Sequence, residues 1–170
     1  KADLLYESGD TKNAILELDK YVNRYPEYAF GYYRRGWYKD NSEDIDGAIE
    51  DYSMTIVLDP SYAYSYLGRA DMYAQKKDAE SATADYQKVI ELDTIPNNGS
   101  CAQYAYWGLG QKEKAIEFMN KVIANDSEDA GNYYDAACLH SRMGETDAAI
   151  DFLKTALEKG YRRFAHLEMD

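Results

Sequence analysis

The chain has 170 residues, of which 45% are hydrophobic and 29% charged, so it is long and apolar enough to bury a core. Its 19 Lys and Arg are outnumbered by 31 Asp and Glu, which gives a formal charge of -12. An average surface this acidic repels phosphate backbones and anionic lipid, which argues against a nucleic-acid partner. No segment approaches the roughly 18 consecutive apolar residues of a bilayer-spanning helix, so we expect no membrane insertion.

A step of 34 residues relates positions in the first half of the chain. Ala14, Ala48 and Ala82 are separated by this step. Two further sets follow it, namely Leu18 with Tyr52 and Tyr86, and Pro26 with Pro60. A fixed interval of this length indicates a repeat architecture rather than one irregular domain. Because the chain starts at Lys1 inside a predicted helix over residues 2–8, we expect it to be cut from a longer protein.

Each repeat is predicted to hold two helices. The first carries an aromatic residue followed four positions later by a small one, as in Tyr32 with Gly36, Tyr66 with Ala70 and Tyr133 with Ala137. Small residues let two helix backbones approach closely. The second helix has apolar residues at helical spacing and stops before Pro60, because proline disfavours a helical residue ahead of it. Thr146, Asp78 and either Asp44 or Asp46 are predicted to cap the starts of second helices.

The repeat continues beyond an irregular stretch. Gly110 and Gly144, Ala115 and Ala149, and Met119 and Leu153 are again 34 residues apart. The step from Ala82 to Ala115 is 33, so one residue has been lost near Pro96. Asn97, Asn98 and Gly99 carry turn chemistry and predict a loop. Gln103 stands where a small residue is expected, so the first helix of this repeat is predicted to begin late.

This pattern resembles the tetratricopeptide repeat family, whose signature places aromatic, small, Gly, Ala and Pro residues at set positions. The resemblance implies an all-α fold, an α-α superhelix in which antiparallel helix pairs form a right-handed solenoid. We expect a single array with a partial repeat at 1–28, repeats at 29–62 and 63–95, an irregular repeat at 96–129 and a repeat at 130–163.

The sequence after Gly160 predicts the start of a further apolar helix over residues 164–170 that is cut short. Each helix pair in such an array buries its apolar face only against its neighbours. We therefore expect an uncapped C-terminal end that promotes self-association.

Residues suited to catalysis or metal binding are few. Cys101 and Cys138 lack the spacing of a disulfide framework or zinc site and are predicted to be reduced thiols. Besides His166 the chain has one histidine, His140, which takes a position where the family has Tyr and is predicted to pack, since no carboxylate and serine arrangement can be tied to it by spacing. The run from Ser42 to Gly47 resembles a calcium loop but lacks both end ligands. We predict no enzyme activity, no cofactor and no metal site.

The resemblance also implies a binding groove lined by the first helices. Its predicted binding residues, taken from the groove positions of the family, are Phe30, Tyr33, Trp37, Tyr64, Asp71, Tyr104, Trp107, Tyr134 and Arg142. Tyr and Trp carry much of the energy of protein interfaces, although the same rings could instead pack between repeats. The Lys and Asn of the carboxylate-clamp members are absent from the matching positions.

The sequence therefore predicts a scaffold or adaptor that binds a peptide or protein segment in a concave aromatic groove. Asp40 and Asp71 beside aromatic rings favour a partner with basic and apolar side chains. An alternative is the non-catalytic, substrate-positioning or regulatory arm of a larger enzyme or cell-envelope protein. Binding of single-stranded RNA is disfavoured by the acidic charge. The compartment is not determined; the cytoplasm is favoured, and an envelope location is open if a signal was removed.

Overall fold

The computed structural model describes residues 1–96 and 99–162, and the regular structure in these ranges is entirely helical. The chain divides into two compact units: unit 1 is Lys1–Leu92, and unit 2 begins at Asp93. Asn97, Asn98, His166 and the predicted final helix over residues 164–170 lie outside the described residues. The prediction of an all-α fold is confirmed.

Unit 1 consists of three helix pairs. Its helices are α1 (Ala2–Glu7), α2 (Thr11–Arg24), α3 (Ala29–Asp40), α4 (Ile45–Leu58), α5 (Ala63–Gln75) and α6 (Ala79–Leu92). Helix α1 contacts α2, α3 contacts α4, and α5 contacts α6, while α2 also contacts α3 and α4 contacts α5. Each pair therefore packs on the next through its second helix.

Unit 2 repeats this arrangement with two pairs. Its helices are α7 (Ala102–Gly108), α8 (Lys112–Asn125), α9 (Ala130–Arg142) and α10 (Thr146–Glu158). Helix α7 has only seven residues and begins at Ala102. The carboxylate of Asp93 accepts hydrogen bonds from the backbone N–H groups of Cys101, at 2.5 Å, and Ala102, at 2.9 Å. A side chain nine residues before α7 thus satisfies donors that a helix start leaves without a partner.

The turn inside every helix pair contains a residue in the left-handed region of backbone space. These residues are Gly9, Glu43, Lys77, Gly110 and Gly144, with φ between 62° and 81°. They follow the repeat step of the sequence. Glycine adopts this conformation without a steric penalty, whereas Glu43 and Lys77 adopt it with a side chain attached. The turn geometry is therefore set by the helix pair rather than by glycine alone.

Small residues allow the two helices of a pair to meet. A Cβ atom on Gly36 of α3 would lie 3.1 Å from the Cβ atom of Asp51 and 3.2 Å from the ring of Tyr52 on α4. Ala70 takes the same position in α5 and is fully buried. The structure thus agrees with the prediction that small residues at Gly36 and Ala70 let the two helices of a pair pack closely.

The helix starts agree only in part with the predicted caps. Asp44 accepts a hydrogen bond from the backbone N–H of Gly47 at 3.1 Å, and Asp78 accepts one from Ser81 at 3.1 Å. The prediction for Thr146 was wrong, because Thr146 is the first residue of α10 and Glu145 precedes it as the N-cap. The Glu145 side chain instead makes an ion pair with Lys112 and a hydrogen bond with Nδ1 of His140 at 2.6 Å.

Each unit has its own core. In unit 1, Met72 of α5 packs against Ala48 and Tyr52 of α4. The core of unit 2 joins α7, α8 and α9 and consists of Ala102, Ala115, Phe118, Met119, Val122, Ala136 and Leu139. The ring of His140 stacks on Phe152 with centroids 5.0 Å apart, which places this histidine in a packing role.

Candidate protein-binding surface

Helix α3 presents three of the predicted binding residues along one face. Phe30, Tyr33 and Trp37 are spaced by three and four residues, so their side chains lie above one another on the helix surface. The rings of Phe30 and Tyr33 are 5.9 Å apart. Phe30 is 46% exposed, so this end of the face is open to solvent.

Aromatic residues at the start of α5 extend this face. The ring of Tyr62 meets that of Tyr33 edge to face at 4.9 Å, and the ring of Tyr64 lies 6.5 Å from Tyr33. Tyr62 and Tyr64 are themselves 6.1 Å apart. We call Phe30, Tyr33, Tyr62 and Tyr64 the aromatic cluster. Edge-to-face and offset contacts at these distances are the favoured geometries of aromatic pairs.

Trp37 lies in a second set of rings toward α1. Its ring is 4.9 Å from that of Tyr6 and 5.4 Å from that of Tyr38. The guanidinium of Arg34 lies 5.1 Å from the Trp37 ring centroid, within the range of a cation–π contact. Arg34 also pairs with Asp3. Trp37 is therefore half-buried by neighbours in unit 1, and a partner would reach only part of its ring.

Two carboxylates lie close to Tyr52 of α4, which contacts the cluster through Tyr33 at 6.0 Å. Burial raises the pKa of Tyr52, and the negative charges of Asp40 and Asp71 raise it further. Asp71 accepts a hydrogen bond from the Tyr86 hydroxyl at 2.6 Å, which fixes its position. These negative charges therefore lie near Tyr52, whose ring contacts the aromatic cluster at Tyr33.

The predicted binding residues of unit 2 are Tyr104, Trp107, Tyr134 and Arg142. The guanidinium of Arg142 lies 5.2 Å from the ring of Tyr104, whose hydroxyl donates to the backbone carbonyl of Asp135 at 3.1 Å. Trp107 packs against the core of unit 2. Tyr134 stacks on Tyr161 with centroids 4.3 Å apart and ring planes within 12° of parallel. Tyr104 and Arg142 thus meet directly, and Tyr134 and Arg142 line the same cleft on α9 and α10.

The sequence prediction did not include Tyr62 and Tyr6, whose rings contact those of Tyr33 and Trp37. For Tyr62, the repeat pattern of the sequence offered a way to find it. Tyr62 and Tyr28 are 34 residues apart, and each is the N-cap residue of a first helix. This recurrence could have marked Tyr62 as part of the surface. Tyr6 had no repeated aromatic to identify it, because Asp40 and Ala74 take its place in the next two repeats.

Ionisable residues of the described chain do not form a metal site, since no group of three or more His, Cys, Asp or Glu is close enough to hold an ion. Cys101 is buried and Cys138 half-buried, both as free thiols, and burial raises the pKa of each. No helix among the described residues has both the length and the apolar character that crossing a bilayer requires.

Solved structures similar to this chain have the same fold. The crystal structure of MamA is 24% identical, with 93% of each chain covered and a TM-score of 0.55. The thermophilic TPR protein TTC0263 from Thermus thermophilus is 17% identical over 96% of this chain and 90% of its own, with a TM-score of 0.68. YrrB, a TPR protein with an unusual peptide-binding site, is 17% identical over 96% of this chain and 85% of its own, with a TM-score of 0.53. No curated protein matches the chain.

Family comparison accounts for most of the sequence. Models described as tetratricopeptide repeat match residues 1–28, 33–94, 104–129 and 130–158. These ranges overlap α1–α2, α3–α6, α7–α8 and α9–α10, in that order. Because the matches follow the helix pairs in both units, the chain belongs to the tetratricopeptide repeat family.

Proposed function

We propose that this chain is a non-catalytic interaction scaffold that binds a segment of another protein on the aromatic cluster of unit 1. Tetratricopeptide repeats are typically scaffolds for protein interaction, which supports the general function. The observation that carries the specific site is the set of ring contacts joining α3 to α5 beside an exposed Phe30. YrrB, similar in fold, is described as having a peptide-binding site, which is compatible with this proposal.

The partner we propose carries basic and apolar side chains. A Lys or Arg side chain near Tyr33 would gain both cation–π attraction and the field of Asp40 and Asp71. Apolar side chains would cover the rings of Phe30 and Tyr64. In unit 2, Tyr104 and Arg142 form a separate aromatic and basic patch that would suit an acidic residue of a partner.

The test is selection from a random peptide library displayed on phage, followed by calorimetry with the enriched peptides. We expect enrichment of peptides that combine Lys or Arg with aromatic or aliphatic residues. Phe30→Ala and Tyr33→Ala should each weaken binding by about 2 kcal/mol, roughly thirtyfold, if these rings are centres of the interface.

The matched control is Tyr25→Ala, which removes a ring that is 45% exposed and lies outside the aromatic cluster. Circular dichroism should show that all three variants remain folded. Equal affinity of enriched peptides for the wild type and for both cluster variants would contradict the proposed site. Enrichment of acidic peptides alone would contradict the proposed partner.

A second proposal concerns the apolar surface of α9 and α10. Ile150 is 45% exposed there, and Leu157 is 40% exposed. We propose that this surface promotes self-association, as the sequence predicted for the C-terminal end. Sedimentation analysis of the wild type across concentrations tests it, and a monomer at every concentration would contradict it.

The alternative of a substrate-positioning or regulatory arm makes a different prediction. Such an arm would bind a catalytic domain through the same surface that binds the enriched peptides. Competition between an enriched peptide and that domain, in the natural protein, would distinguish an arm from an independent scaffold.

A further inference from the structure

Three tyrosines of the aromatic cluster form a ridged surface on unit 1. Tyr33 lies on α3, Tyr62 is the N-cap residue of α5, and Tyr64 lies in the first turn of α5. The ring planes are inclined by 81° between Tyr33 and Tyr62, by 62° between Tyr33 and Tyr64, and by 40° between Tyr62 and Tyr64. All three residues are partly exposed. A partner therefore meets ring faces and ring edges in turn rather than one flat wall.

Each of the two helices also carries a carboxylate two turns beyond its tyrosine. Asp40 follows Tyr33 by seven residues on α3, and Asp71 follows Tyr64 by seven residues on α5. Residues seven apart lie on the same face of a helix, about 10 Å from each other along its axis. Both carboxylates raise the pKa of one residue, Tyr52, so they lie at the same end of the surface. The surface thus has an aromatic end and an acidic end.

The residues between these two ends are apolar. Leu67 lies on α5 between the tyrosine and the carboxylate, at helical spacing from both, and is 7% exposed. Trp37 takes a similar place on α3. Both helices contact the helix before and the helix after them, so this surface belongs to the interior of unit 1. Its aromatic, apolar and acidic parts follow one another along the two helices.

A segment in the polyproline II conformation has the properties that such a surface requires. Its prolines present compact apolar rings that pack against aromatic side chains. It has no internal hydrogen bonds, so its carbonyl groups can accept hydrogen bonds from tyrosine hydroxyls. The conformation already exists before binding, so less entropy is lost than when a flexible peptide becomes ordered. Proline is therefore the apolar residue that best matches a surface made of tyrosines.

The distance between the aromatic and acidic ends sets the spacing of residues in the partner. A polyproline II segment rises about 3.1 Å per residue, so the distance corresponds to about three residues. We propose that the aromatic cluster binds a proline-rich segment in this conformation, with a proline on Tyr33 and Tyr64 and a Lys or Arg about three residues away, near Asp40 and Asp71. This inference rests on the proposed function and deepens it by naming the class of partner.

The test is calorimetry with the whole chain and short synthetic peptides. The probe is acetyl-Pro-Pro-Ala-Pro-Ala-Ala-Arg-amide. One comparison peptide has alanine in place of every proline, and we expect it to bind about tenfold more weakly, because it loses both the ring contacts and the preformed conformation. A second has glutamine in place of arginine, and a third has arginine directly after the last proline. We expect each of these to bind about threefold more weakly, because the positive charge is lost or misplaced.

Variants of the chain locate the binding site. Tyr64→Ala should weaken binding of the probe about tenfold, because it removes one of the rings. The matched control is Tyr73→Ala, which removes a partly exposed tyrosine of the same helix outside the aromatic cluster. Asp40→Asn should weaken binding of the arginine probe and leave the glutamine peptide unaffected, since only the arginine probe has a charge to pair. Circular dichroism checks that each variant is folded.

Several outcomes would overturn the inference, and they separate it from the proposed function. If the proline probe binds no better than its alanine counterpart, while peptides enriched from the random library still depend on Tyr64, the partner is not a polyproline II segment and the proposed function stands. If the probe binds Tyr64→Ala and the wild type equally, it binds elsewhere. If moving the arginine leaves the affinity unchanged, the inferred spacing is wrong. If neither the probe nor any enriched peptide depends on a ring of the aromatic cluster, the proposed function itself fails.

Discussion

Asp135 of α9 is a half-buried carboxylate whose environment disfavours its ionised form. Burial, and then the negative charge of Asp129, raises its pKa to about 6, while a hydrogen bond from Tyr104 acts in the opposite direction. Burial is the main cause of the raised pKa of the Cys101 and Cys138 thiols, and the negative charge of Asp135 adds to it. Ionised Asp135 is therefore a source of instability in unit 2.

This environment predicts a pH-dependent effect of Asp135→Asn. The pKa is higher in the folded chain than the ordinary value of 3.8, so the folded state binds the proton more tightly. Wild-type stability should therefore decline as pH rises from about 4 to about 6. Asp135→Asn removes this loss, and we expect it to stabilise unit 2 by roughly 2 kcal/mol at pH 7 and by little at pH 4.

Urea denaturation at both pH values measures the difference. Asp151→Asn is the control, since Asp151 is exposed on α10 and should give similar shifts at pH 4 and pH 7. An Asp135→Asn variant that is less stable than the wild type at pH 7 would show that the carboxylate is needed in its charged form.

At the scale of helices, one ion pair recurs inside the pairs of unit 1. Arg35 of α3 binds Asp51 of α4 through two hydrogen bonds, of 2.8 and 2.5 Å. Arg69 of α5 binds Asp85 of α6 in the same way, at 2.7 and 2.8 Å. In unit 2 the equivalent positions are apolar, with Ala102 facing Phe118 and Ala136 facing Phe152. At this position of the repeat, an ion pair joins the two helices in unit 1 and an apolar contact joins them in unit 2.

This substitution pattern predicts a double-mutant result. Arg69→Ala leaves Asp85 buried, at 6% exposure, without its ion-pair partner, and should cost about 3 kcal/mol. Asp85→Phe added to Arg69→Ala recreates the apolar pair of unit 2 and should recover at least half of that loss. Chemical denaturation of the single and double variants measures both values.

The control removes an exposed ion pair on α8, Lys121 with Glu117, by Lys121→Ala. We expect stability to remain nearly unchanged, because exposed pairs contribute little. A double variant less stable than Arg69→Ala alone would mean that the space between α5 and α6 cannot accept an aromatic ring.

At the scale of the whole molecule, the formal charge of -12 acts on the two proposed associations in opposite directions. A basic peptide is attracted to the chain, so its affinity should fall as salt is raised from about 0.05 M to about 0.5 M. Two copies of the chain repel each other, so self-association through apolar surfaces should strengthen over the same range. Calorimetry with an enriched peptide and sedimentation of the chain alone measure the two trends. If peptide affinity and self-association both rise or both fall with salt, one of the two proposed associations is wrong.

The sequence by itself predicted an all-helical fold of helix pairs, because a 34-residue step places apolar, small and turn residues at fixed positions. The family resemblance also placed Phe30, Tyr33 and Tyr64 among the predicted groove residues, and the structure brings their rings together. Only the tertiary structure decided which rings remain accessible. Trp37 is half-buried by Tyr6 and Tyr38, and Trp107 packs against the core of unit 2. Periodicity fixes the face of a helix on which a side chain lies, whereas burial depends on neighbours that are distant in sequence.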